Sequence, residues 1–145
     1  MSKDITMKVV GLDSLLKGIK KADQKANSLY NKALTSTLIK GKAIMRKESP
    51  FITGGLRRSI DIEKDSAKLR GKIFPAEKYG LYVEDGTRPH PINGPVKIKG
   101  NWVYIKTHPG TKKNPFVERT FDKIKPIALT NFGKAVDLYL RIIAK

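Results

Sequence analysis

An α+β fold is predicted for this chain of 145 residues, as a single two-layer domain over residues 1–145. Long N- and C-terminal helices would pack on one face of an antiparallel sheet, with a projecting Pro/Gly-rich loop and hairpin. Three observations predict it. Apolar residues recur at steps of three and four toward both ends, apolar and polar residues alternate in the middle, and prolines and glycines crowd one central segment. One apolar stripe per helix and one apolar face per strand call for helices on one side of a sheet.

The first element is a helix over 12–48. Leu12, Leu15, Ile19, Ala22, Ala26, Leu29 and Ala33 form one stripe of a 3.6-residue period, widened by Leu16, Tyr30, Leu34 and Leu38. Asp13 or Ser14 can cap its first turn, and Pro50 stops it because the residue before a proline avoids helical geometry. Unbroken, it would run about 55 Å, so a bend near Gly18 or Gly41 is expected. Strands follow at about 56–64 and 69–75, where Ser59-Ile60-Asp61-Ile62-Glu63 and then Leu69, Gly71 and Ile73 alternate around a polar turn. Tyr79, Leu81 and Val83 predict a third strand at 79–84. A second hairpin is expected from 96–99 and 102–106, turning near Gly100-Asn101.

Between these strands, Asp85 to Pro95 holds Gly86, Pro89, Pro91, Gly94 and Pro95, a density that predicts a protruding loop without regular structure. The last element is a helix over 115–143. Asn114 before Pro115 fits an N-cap and first helical residue. The stripe Val117, Phe121, Ile124, Ala128, Phe132, Ala135, Tyr139, Ile142 keeps its phase across Pro126. One helix kinked at Pro126 explains that better than two.

Thirty Lys and Arg stand against 13 Asp and Glu, a formal net charge of +17. The excess is even: +7 over residues 1–50 (11 minus 4), +5 over 51–110 (11 minus 6) and +5 over 111–145 (8 minus 3). No basic arm stands out, as a dedicated nucleic-acid element would. The densest groups, Lys17, Lys20, Lys21, Lys25 and Lys40, Lys42, Arg46, Lys47, fall on helical patterns where solvated lysine-rich faces are common. Because +17 exceeds what solubility requires, an anionic partner stays open. No uncharged run exceeds eight residues, well short of the roughly 20 needed to span a bilayer, so no membrane is expected. With no cysteine there is no disulfide framework and no thiolate chemistry.

An enzyme would start from the two histidines, His90 and His108. With Glu84 and lysines they sketch a small ribonuclease, one His as base and one as acid across a scissile phosphate. Histidines beside prolines in loops are more often solvated turn residues. No histidine pair at helical spacing, calcium loop or phosphate loop is present, so no catalytic residue, metal or cofactor is assigned. Gly54 and Gly55, Gly86, and Pro109 with Gly110 read as turns, and Pro115 as a helix start.

Gly55-Leu56-Arg57-Arg58-Ser59-Ile60, then Tyr79-Gly80-Leu81-Tyr82-Val83-Glu84-Asp85-Gly86-Thr87, then His108-Pro109-Gly110-Thr111 before Asn114-Pro115-Phe116-Val117 occur in that order. Together they resemble the phage gene-product-ten-like tail-component family, the small neck or tail-completion proteins of long-tailed bacteriophages. The resemblance spans roughly residues 8–140 and departs from the family pattern at Gly80, Asp85 and Thr120. It implies a non-enzymatic virion protein, made in the host cytoplasm, that assembles as a homo-oligomeric ring between neck or connector and tail proteins, with non-specific DNA contact allowed. Glu84, Asp85, Gly86, Thr87, Arg88, His90 and Trp102 are the expected partner-contact residues. A basic nucleic-acid-binding protein and the small ribonuclease are the alternatives.

Overall fold

A computed structural model describes residues 24–51 and 54–144. The predicted helix start at 12–23, with its cap at Asp13 or Ser14 and the bend at Gly18, lies outside those residues. The chain divides into two compact units, one of residues 1–77 with 116–145 and the other of residues 78–115.

In the first unit, helix α1 (Gln24–Glu48) buries Ala26, Tyr30, Ala33, Leu34, Thr37, Leu38, Gly41 and Met45 along one stripe. Arg46 and Lys47 occupy its last turn, where cations offset the negative end of the helix dipole. Helix α4 (Phe116–Ile143) packs along α1 and buries Phe116, Thr120, Ile124, Ala128, Phe132, Ala135 and Tyr139. The phase kept across Pro126 is therefore that of one continuous helix. Pro126 is exposed, so the carbonyl deprived of its amide partner faces water. Thr120 stands inside the core, and its hydroxyl donates to the Phe116 carbonyl at 2.6 Å, which satisfies the polar group.

The rings of Tyr30 and Phe132 stack across the helix pair, centroids 6.5 Å apart. Asn131 Nδ2 donates to Thr37 Oγ1 at 3.0 Å. Burying a Leu, Ile or Phe side chain contributes about 1.5–3 kcal/mol, against about 0–1 for an exposed ion pair. The shared apolar stripe therefore dominates this contact.

Strands β1 (Ile60–Asp65) and β2 (Arg70–Pro75) pair antiparallel, with Ile62 opposite Ile73 and Lys64 opposite Gly71. Asp65 Oδ1 accepts from the amides of Ala67 and Lys68, both at 3.1 Å, and builds the polar turn. Ile60 and Ile73 are buried. The hairpin lies along α1 in the opposite direction: Asn31 donates to the Ser66 carbonyl, Lys64 to Thr35, Lys42 to Asp61 and Arg46 to the Ile60 carbonyl. Two glycines permit the approach. A Cβ on Gly71 would stand 2.6 Å from a Leu38 methyl, and one on Gly41 would strike the tips of both Ile73 and Ile124.

The strand predicted from residue 56 begins later. Gly55–Ser59 instead forms a helical turn, α2, entered through Gly54 at φ +76°. Arg58 N donates to the Gly54 carbonyl and Ser59 Oγ to the Leu56 carbonyl. Leu56 is buried, and one turn of helix carries it inward before Ile60 starts the ladder.

The strand predicted at 79–84 is also corrected. Gly80–Asp85 is a helix, α3, in the second unit. Gly80 is buried, and Val83, Glu84 and Thr87 are half-buried. Leu81 is half-buried as well, and exposure recurs in steps of three at Tyr79, Tyr82 and Asp85. That helical spacing prevails over the apparent alternation of Tyr79, Leu81 and Val83, for which no strand partner exists among the described residues. Gly86, at φ +74°, ends the helix.

Candidate partner-contact arm

Segment 85–95, predicted to be without regular structure, is paired with the chain that returns from it. Strand β3 (His90–Pro91) pairs with β6 (Thr107–His108), and β4 (Pro95–Ile98) with β5 (Asn101–Tyr104), all antiparallel. An isolated bridge joins Thr87 to Thr111, and Ile92 N donates to the Lys106 carbonyl at 3.0 Å. In sequence order these pairs form one ribbon, from Thr87/Thr111 at the base to Ile98/Asn101 at the tip. Extended, a strand of that length spans about 40 Å.

Prolines are compatible with this ribbon because a two-stranded ladder has only edge strands, where a missing amide donor is tolerated. The register changes by one residue midway. Ile92 faces Lys106 but Pro95 faces Tyr104, so the outgoing strand advances three residues against two. Gly94, at φ +151°, sits in the extra length, as in a β-bulge. Lys99 and Gly100 both lie in the left-handed region and close the tip as a two-residue turn.

The base is built around two glycines. Thr87 N donates to the Thr111 carbonyl at 2.9 Å, and Thr111 N to the Thr87 carbonyl at 3.1 Å. A Cβ on Gly86 would stand 2.7 Å from the Thr111 carbonyl oxygen, and one on Gly110 would strike that of Thr87. Asn114 N then donates to the Val83 carbonyl, tying the returning chain to α3. Pro115 precedes Phe116, the first helical residue of α4.

His90 and His108 face each other across the β3–β6 ladder, rings stacked with centroids 5.1 Å apart. His90 Nδ1 lies 3.0 Å from the Arg88 carbonyl, which can only accept, so that nitrogen carries the proton. Gly110 N donates to His108 Nδ1 at 3.0 Å, so that nitrogen is bare. An acid and a base straddling a scissile phosphate must stand on opposite sides of it. Two rings in mutual contact leave no such gap.

The distal hairpin carries the aromatic surface. Trp102 is 70% and Tyr104 78% exposed. Alternate residues share a face of a strand, so Trp102 and Tyr104 stand together, with their cross-strand partners Lys97 and Pro95 beside them. Val103 and Ile98, on the opposite face, are also exposed. Of the expected contact residues, Asp85, Arg88 and His90 are exposed, and Glu84, Gly86 and Thr87 are half-buried at the base. Trp102 stands at the other end of the ribbon from the base residues. Tyr104 is absent from the residues expected on sequence grounds, although its alternation with Trp102 is visible there. Among the described residues no group of three His, Cys, Asp or Glu is placed to hold a metal ion, and no helix is long and apolar enough to cross a membrane.

Residues 87–111 thus form a paired ribbon that presents exposed aromatic side chains near its tip. A family model described as "Bacteriophage HK97-gp10, putative tail-component" matches residues 13–86, just over half of the chain. The chain belongs to this family of phage tail components. The match covers α1, the β1–β2 hairpin and α3 and stops at the base of the ribbon. Neither a curated protein nor a solved structure matches the chain.

Proposed function

We propose that this tail component acts in head–tail joining or tail completion of a tailed bacteriophage. It assembles there as a homo-oligomeric ring between connector and tail proteins, and its distal ribbon contacts the neighbours. The observation that carries this reading is the exposure of Trp102 and Tyr104 on one face of a two-stranded ribbon. Keeping apolar surface in water forgoes about 25 cal/mol per Å2, and aromatic clusters of this kind recur at the energetic centres of protein interfaces. An isolated two-stranded ribbon is also marginal in water, so a partner covering one face would add order as well as contact.

Asp85, exposed at the base, offers a charged contact to the basic surface of an adjacent subunit, and exposed Arg88 one to an acidic group of a tail or connector protein. The general positive surface suits a position beside DNA passing between head and tail. Electron microscopy of particles made with and without the protein tests the reading. Unjoined heads and tails are expected without it, and complete tailed virions in its absence would defeat it.

A further inference from the structure

On the first unit, a hollow of about 500 Å3 is lined, among the described residues, by Arg46, Lys47, Arg57 and Arg58 alone. Four cations converge there from the end of α1 and from α2, with no carboxylate between them. Two carboxylates on neighbouring elements are shared with other cations: Glu48 pairs with Arg119 and Lys123 of α4, and Asp61 pairs with Lys42 while also feeling the charge of Arg46.

Two of the guanidiniums are already positioned. Arg57 Nε donates to the Ser49 carbonyl at 3.0 Å, and its guanidinium lies 5.2 Å from the centre of the Phe51 ring. Arg46 Nη2 reaches the Ile60 carbonyl at 3.4 Å. Each keeps further N–H donors for a ligand, because a guanidinium has five. Lys47 and Arg58 have no carboxylate partner among the described residues. Like charges brought together in one hollow repel one another, and a bound anion would relieve that repulsion.

We infer that this hollow is a binding site for the phosphodiester backbone of duplex DNA, read without regard to sequence. Fork-shaped guanidiniums beside an ammonium match phosphate oxygens. The hollow is open, which suits an extended polyanion better than an enclosed metabolite. A second copy of this chain is a poor source of anions, since it brings 30 basic residues for 13 acidic ones. The choice of DNA over an acidic protein rests on the proposed position between head and tail, whereas the anion site itself rests on the four side chains.

The test is fluorescence anisotropy of the purified chain with a short random-sequence duplex over a range of salt concentrations. Arg46→Gln/Lys47→Gln/Arg58→Gln is compared with Lys125→Gln/Lys134→Gln/Arg141→Gln, which removes the same charge from exposed positions of α4. Each phosphate left without its cation flattens the plot of log K against log salt by about 0.9, so about 2.7 is expected for the cluster variant and less than about 1 for the control. Thermal melting checks folding. If the triple variant does not fold, Arg58→Gln alone decides, with an expected flattening of about 0.9.

Equal slopes for the two triple variants, or no duplex binding by the unaltered chain, would overturn the proposal and leave the ring reading standing. Displacement of the duplex by inorganic phosphate at low concentration would reassign the hollow to free phosphate. Equally tight binding of poly-glutamate would reassign it to an acidic protein. Either result would also overturn the proposal. Tailed virions forming without the protein would defeat the assembly reading while leaving this site intact.

Discussion

Arg119 of α4 grips Glu48 of α1 twice, Nε to the carboxylate Oε2 at 3.0 Å and Nη2 to the backbone carbonyl at 3.1 Å. The second hydrogen bond engages a carbonyl at the helix C-terminus, so one side chain both caps α1 and pins α4 to it. Lys123 hydrogen-bonds the other carboxylate oxygen. The hydrogen bonds from Lys123 and then Arg119 hold the Glu48 carboxyl below the usual carboxylate range.

A carboxyl whose pKa is depressed on folding adds stability above its unfolded pKa and loses it as pH falls through the folded value. Stability is therefore expected to fall below about pH 4.5, and Glu48→Gln should flatten that part of the profile. Asp61, also lowered, chiefly by its hydrogen bond from Lys42, is 62% exposed and should contribute less. Denaturant unfolding at a series of pH values makes the comparison. An unchanged acid limb in Glu48→Gln would refute it.

Gly41→Ala should destabilise the first unit by about 1–3 kcal/mol, the usual range for overpacking, because its Cβ meets the tips of Ile73 and Ile124. Removing the Ile124 tip should recover part of the loss. Gly41→Ala/Ile124→Val is therefore expected to unfold at higher denaturant than Gly41→Ala alone. No recovery would show that Ile124 is not the obstacle.

Tyr30 is fully buried, yet its hydroxyl has no hydrogen-bond partner among the described residues. Burial, and secondarily Tyr139, pushes its pKa up, so it remains neutral. Tyr30→Phe should keep the stacking on Phe132 and raise stability by about 1 kcal/mol, as expected when an unsatisfied buried hydroxyl is removed. A loss of similar size in the denaturation midpoint would mean that the hydroxyl is satisfied in solution.

At the ribbon base, Gly86→Ala and Gly110→Ala each place a methyl group against the carbonyl of the opposite strand from a left-handed backbone. Each should cost about 1–3 kcal/mol locally. Faster amide exchange at Thr87 and Thr111, with α1 and α4 unchanged, is the expected signature. Protection equal to that of the unaltered chain would contradict the base geometry.

The long elements are legible in the sequence because their patterns are long. Eight residues in phase from Val117 to Ile142 fix one helix even across Pro126, and Ile60, Ile62 and Ile73 define the β1–β2 hairpin. At 79–84 the segment is too short for alternation to be told from a helical turn, and burial of Gly80, which has no side chain, leaves no apolar signal. The ribbon from Thr87 to Thr111 is obscured for another reason. Proline reads as a breaker, whereas in a two-stranded ladder the unpaired edge accepts it. Arg46 and Lys47 are visible as part of a basic helical face. Their meeting with Arg57 and Arg58 depends on the reversal after Ser49, which no periodicity encodes.

The proposed assembly role is tested most directly by electron microscopy of particles made with Trp102→Ala/Tyr104→Ala in place of the unaltered chain. Both side chains are largely exposed, so the variant should fold with stability within about 0.5 kcal/mol per substitution. Heads and tails left unjoined by a folded variant are predicted. Complete tailed virions in undiminished number would contradict the claim that the ribbon is the contact on which assembly depends.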